Sequence, residues 1–106
     1  MTYRFMRMII FFDLPTETAQ QRREYSKFRK YLLKSGFMMM QESVYCKLLL
    51  NQTNSMTIER GLMKNKPNQG LVQCLTVTEK QYSKMQYLVG NYEGDIICSD
   101  ERFVEL

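Results

Sequence analysis

An apolar run, "MIIFF", fills residues 8–12 and stops on Asp13, followed by Leu14 and Pro15. A strand that ends this way holds one carboxylate at a fixed place. Asp-Leu-Pro is also ordinary turn chemistry, since aspartate is common where extended chain gives way to a loop. The sequence contains no histidine, which removes Ser-His-Asp and Cys-His schemes and the commonest general base. Bond-breaking chemistry would therefore have to rest on carboxylates and a metal ion. On the residues alone, both readings of Asp13 stay open.

The second group of interest is cationic. Arg23, Lys27, Lys30 and Lys34 recur at spacings of 4, 3 and 4, which puts them on one side of a helix about three turns long. Charge runs usually line solvated helix faces, but Glu17 and Glu24 fall to one side of this one. An uncompensated stripe repels itself unless an anion is its partner. Arg22 borders the stripe and is taken with it as a nucleic-acid candidate; Arg29, Arg60 and Lys64 are weaker ones. The net charge of +4 conceals a split: residues 1–92 carry +8 and residues 93–106 carry −4. A basic body suggests a polyanionic partner. The acidic tail would oppose nonspecific binding or pair with a basic surface on another chain.

These groups need a scaffold. A chain of 106 residues with 44% apolar and 25% charged residues suits one globular domain. No stretch approaches a membrane span and the N-terminus lacks the form of a signal peptide, so a cytoplasmic protein without membrane association is expected. Cys46, Cys74 and Cys98 lie far apart in apolar stretches; with no C-x-x-C spacing and no histidine, a zinc site is unsupported. Buried free thiols are expected.

Residues 3–12 read as a strand apolar on both faces. A helix over about 17–35 follows, with Thr18 and Gln21 as a capping box, Tyr25, Phe28 and Leu32 toward the core, and Ser35-Gly36 as its stop. Residues 37–50 are extended and broken around Gln41-Glu42-Ser43, with Met38 to Met40 assigned to core or dimer packing. A second helix over about 55–66 would turn Met56, Ile58, Leu62 and Met63 inward. Residues 71–78 form another strand. Thr78 and Gln81 cap a third helix over 79–89, with Tyr82, Met85 and Val89 on one side and Gly90 as its stop. Residues 95–99 and 103–106 are short terminal strands. The order is β-α-β-β-α-β plus a C-terminal helix and strand, an α+β ferredoxin-like pattern with a core at 3–78 and an extension at 79–106. Helices in such a fold cover one sheet face only. A first strand apolar on both sides therefore implies that the open face packs on a second copy, giving a homodimer.

The strand ending in "IIFFDLP", the basic first helix, "SGF" and "QESVY" together resemble the CRISPR-associated protein 2 family over roughly residues 3–78. The extension at 79–89 is similar to versions from single-effector (type II) systems. The resemblance implies a ferredoxin-like homodimer that bridges dimers of the CRISPR integrase (CRISPR-associated protein 1) and holds double-stranded DNA for spacer acquisition. It also implies a magnesium-dependent endonuclease acting on single-stranded RNA or double-stranded DNA. The strand-end aspartates of both subunits, here Asp13, would gather around the metal near the dimer axis. That fits the chemistry of Mg²⁺, which takes oxygen ligands, keeps several waters and is held by one or two carboxylates plus substrate phosphate. Asp13 is thus the expected metal ligand and catalytic residue. Gln41, Ser43 and Tyr45 carry the family signature and are assigned structural or near-site places. The tail with "FVEL" would add a strand to a partner subunit or dock on the integrase. A ferredoxin-like ribonuclease toxin is the alternative reading. An RNA-recognition module fits poorly, because the strands lack its aromatic motif.

Overall fold

The computed structural model describes residues 5–91. The acidic tail, Cys98 and the terminal strands expected at 95–99 and 103–106 lie outside these residues. Four strands and three helices occur in the order β1 (Met6–Asp13), α1 (Ala19–Lys34), β2 (Met38–Gln41), β3 (Val44–Leu49), α2 (Gln52–Asn65), β4 (Leu71–Thr78) and α3 (Glu79–Ser83). The sheet order is β2-β3-β1-β4 with every neighbouring pair antiparallel. This is the ferredoxin-like arrangement expected from the order of elements, with β1 central between β3 and β4.

Period-two alternation sorts β1 into two faces. Met8, Ile10 and Phe12 are buried with Phe28 and Leu32 of α1, Phe37, Tyr45 and Leu49 of the β2–β3 region, and Leu62 of α2. Phe12 anchors this core. Its ring meets Phe28 edge-on at 5.5 Å and Tyr25 at 5.9 Å, and stacks on Tyr45 at 5.6 Å. Burying a side chain of this size contributes about 1.5–3 kcal/mol, with the ring contacts adding to it. Phe12 therefore fixes the last turn of β1 before Asp13.

Local signals set the helix ends. Thr18 accepts from the Gln21 amide at 3.1 Å while the Gln21 side chain accepts from the Thr18 amide at 3.0 Å, the expected capping box. At the other end Phe37 N–H reaches Leu32 C=O at 3.0 Å and Gly36 N–H reaches Leu33 C=O at 3.1 Å. With Gly36 at φ +94°, these two bonds form a Schellman stop.

Three expectations need correction. The second helix starts at Gln52 because Asn51 caps it, its side chain accepting from the Asn54 amide at 2.7 Å. Its covered side runs through Ser55, Ile58 and Leu62, leaving Met56 and Met63 at 49% and 65% exposure. Met38 and Met39 of β2 are exposed, which removes the core half of their core-or-dimer assignment and leaves the dimer half. The third helix ends at Ser83 with Lys84 as its C-cap, so Met85, Val89 and Gly90 lie beyond it.

That third helix has no buried residue and is held by side chains reaching from the sheet. Arg7 donates from Nε to Glu79 at 2.8 Å and from Nη2 at 3.2 Å, while its guanidinium carbon lies 4.4 Å from the centre of the Tyr82 ring. Burial disfavours the charged guanidinium, but the Glu79 hydrogen bond and charge outweigh it and push the Arg7 pKa up. The Tyr82 hydroxyl stands 3.8 Å from the Cys46 sulfur. An apolar strand thus carries one arginine because α3 folds over that end of the open face.

The thiols divide. Cys46 is 1% exposed, as expected, but Cys74 is exposed on β4, which among the described residues is the edge strand of the sheet. Residual desolvation and the Glu59 carboxylate still raise the Cys74 thiol above its ordinary pKa, so it reacts slowly near neutrality. Under native conditions maleimide should modify Cys74 slowly and spare Cys46 until unfolding, a difference read by mass spectrometry of tryptic peptides. Equal labelling of the two would contradict this packing.

Candidate metal and nucleic-acid site

The last residue of β1, Asp13, pairs with Leu71, the first residue of β4. It follows Phe11 on the open face, opposite the helix layer, and is exposed. Among the described residues its carboxylate makes no hydrogen bond or ion pair, so both oxygens are available. Several chain segments converge on this end of the sheet. Phe12 N–H donates to Ser43 C=O at 3.1 Å, which draws the β2–β3 turn and the Gln41–Ser43 signature beside the end of β1. Tyr45, two residues on, is fully buried under Phe12 and has no hydrogen-bond partner for its hydroxyl among the described residues; its place is structural.

From this end α1 runs back across the sheet. Arg23, Lys27, Lys30 and Lys34 are all exposed, and none has a carboxylate within ion-pair distance among the described residues. They extend over about 16 Å of helix, beginning near the Asp13 end. Arg22 is placed differently. Its Nη1 donates to the carbonyls of Thr16 at 3.1 Å and Glu17 at 3.0 Å, tying down the loop between Asp13 and α1. A phosphate contact by Arg22 would have to share the guanidinium with this clamp.

The donor set limits the kind of metal this site can take. No cluster of three or more His, Cys, Asp or Glu side chains occurs among the described residues, so a zinc-type cage is absent there. A lone exposed carboxylate fits a weakly held, oxygen-liganded cation whose other positions are filled by water, phosphate or a second carboxylate. Asp13 meets that description with hard oxygen donors and open space. A cleft of about 380 Å³ between Leu14–Glu24 and Pro67–Gln69 lies at the same end but is lined by α1 residues on the helix side. Asp13 does not line it.

Apart from Gln73 and the Arg7–Glu79 pair, the rest of the open face is apolar. Phe11, Met38, Leu48, Leu71 and Leu75 are exposed, and the strand registers set Phe11 opposite Gln73, Ile9 opposite Leu75 and Cys46, and Met38 opposite Cys46. No helix among the described residues is long and apolar enough to cross a membrane.

Two residues important to this region escaped the sequence reading. Arg7 is a charge inside an apolar strand, but its partners Cys46 and Glu79 lie 39 and 72 residues away in sequence. Gly70 carries no local signal that its backbone lies against Asp13 and Leu14.

The chain is 55% identical over 101 residues to a Treponema denticola protein named "CRISPR-associated endoribonuclease Cas2", covering 95% of this chain and all of the relative. A Streptococcus mutans protein of the same name is 50% identical over 101 residues, covering 95% and 93% of the two chains. A solved structure described as "Crystal structure of cas2" superposes with a TM-score of 0.60 at 18% identity, over 87% of this chain and 94% of that one. The family described as "CRISPR associated protein Cas2" matches residues 6–85. The chain that sets Asp13 at the end of its central strand and carries a basic stripe along α1 belongs to the CRISPR-associated Cas2 family.

Proposed function

We propose that this protein works in CRISPR spacer acquisition as a homodimer that holds double-stranded DNA between integrase dimers, and that paired Asp13 carboxylates bind Mg²⁺ for phosphodiester hydrolysis. The observation that carries the reading is the exposed Asp13 at the edge of an apolar sheet face that, among the described residues, only α3 covers in part. Large exposed apolar surfaces mark interaction sites, and packing this face on a second copy would bury Phe11, Leu71 and Leu75 while bringing two Asp13 ends toward one axis. Each carboxylate would supply one or two hard oxygens. When bound, Mg²⁺ supplies a Lewis acid toward the phosphate and a water acidified without histidine. The α1 stripes would contact phosphates, which positions nucleic acid without reading its sequence, as a carrier of arbitrary DNA requires. Family membership favours this role over a ribonuclease toxin. The relatives' name, endoribonuclease, favours RNA as a second substrate of the same carboxylates.

The test combines sedimentation with cleavage of single-stranded RNA and duplex DNA in Mg²⁺ and in EDTA. A dimer whose cleavage disappears in EDTA while duplex binding persists supports the reading. A monomer at micromolar concentration, or cleavage indifferent to EDTA, overturns it.

A further inference from the structure

Gly70 has no chemistry of its own, yet its backbone is pressed against the residue on which the site depends. It precedes Leu71, the strand partner of Asp13, and adopts φ +93°, a conformation L-residues rarely take. A Cβ at this position would stand 2.7 Å from Leu14 Cδ2, 2.8 Å from the Asp13 carbonyl oxygen and 3.1 Å from Leu14 Cα. Two of these three neighbours are backbone atoms, so no rotamer change relieves the contact. The end of β1 would have to move. Gly36 and Gly61 differ in kind, since a Cβ there first meets the Lys47 ammonium or the Tyr31 hydroxyl, each the far end of a side chain.

We infer that Gly70 is a positioning residue for Asp13: its missing side chain lets the turn before β4 close directly on the Asp13–Leu14 backbone and so sets where the carboxylate points. The consequence for metal rests on Asp13 being the ligand, as proposed above. Phe12 fixes β1 from the helix side through buried ring contacts, and the Phe12–Ser43 hydrogen bond fixes it from β3. Gly70 fixes it from β4. A carboxylate with few co-ligands on its own chain is especially sensitive to direction, because no neighbouring ligand corrects a misalignment; functional groups must sit within about 0.5 Å of their productive place.

The test compares wild type, Gly70→Ala, a chain with D-alanine at 70, and Asp13→Asn. The D-alanine chain can be assembled by native chemical ligation at Cys46 and Cys74. D-alanine favours the positive φ and directs its methyl away from Asp13 and Leu14, whereas L-alanine directs its methyl into them. Two readouts apply: the NMR backbone and carboxyl shifts of Asp13 without metal, and Mn²⁺ affinity by electron paramagnetic resonance. Gly70→Ala should displace the Asp13 and Leu14 resonances, leave those of the α1–β3 core in place, and weaken Mn²⁺ roughly tenfold; D-alanine should restore both. Unmoved Asp13 resonances in Gly70→Ala overturn the inference, as do equal effects of both alanines. If the resonances move as stated while Asp13→Asn binds Mn²⁺ as wild type does, the positioning contact stands and the metal reading of Asp13 falls.

Discussion

Asp13→Ala should reduce Mg²⁺-dependent cleavage by at least about 100-fold while leaving the fold and duplex binding intact. The size follows from the chemistry: without histidine, no other described side chain at this end replaces the lost carboxylate, and removing one preorganised electrostatic group commonly costs 10²–10³ in rate. The selectivity follows from the structure. Asp13 is exposed, and its carboxylate makes no hydrogen bond or ion pair among the described residues, so truncation removes no packing and should change stability by no more than about 0.5 kcal/mol. Single-turnover cleavage of RNA and duplex DNA, run beside thermal denaturation and duplex titration, reads all three quantities. Retained cleavage would place the chemistry elsewhere. A collapse of stability would return Asp13 to the turn role that its sequence setting also allows.

The second large effect is expected from the α1 stripe. Replacing Arg23, Lys27, Lys30 and Lys34 together by glutamine should weaken duplex binding about 100-fold at 50 mM salt and flatten its salt dependence. If each cation neutralises one phosphate, the stripe accounts for a slope of about −3.6 in log K against log salt per protomer, or about 100-fold in affinity between 50 and 200 mM. The four side chains are exposed and unpaired among the described residues, and the core face of α1 is carried by Phe28 and Leu32, so helix and fold should persist. Titration across a salt series separates the outcomes: a parallel shift with unchanged slope would mean that the stripe acts indirectly. Arg22 is left out deliberately, because its clamp on Thr16 and Glu17 would mix a loop effect with a phosphate effect.

Local rules were legible wherever they close within a few residues. The Thr18–Gln21 and Thr78–Gln81 capping boxes, the Gly36 stop, the break at Glu42–Ser43 and the inward side of α1 all formed as the sequence indicates, since each depends on hydrogen bonds or periodicity over one or two turns. Errors arose where the partner is distant. Met56 and Met63 are apolar and on a helix, but α2 starts a turn earlier than expected and presents Ser55, Ile58 and Leu62 inward. Cys74 sits in an apolar strand, but that strand is the sheet edge among the described residues. The five-residue α3 stops at Ser83; the Arg7 contacts with Glu79 and Tyr82 hold it, and its own apolar positions do not.

The sequence by itself determined the element order, the absence of histidine chemistry, the charge split and the place of Asp13 at the end of a strand. These depend on composition and on short-range patterns. Only the tertiary structure decided which face of β1 stays open, how Arg7 fastens α3 across it, that Arg22 is engaged by its own loop, and that Gly70 bears on the Asp13 backbone. Those facts depend on strand pairing between segments tens of residues apart, and local propensity carries no information about which backbones will meet.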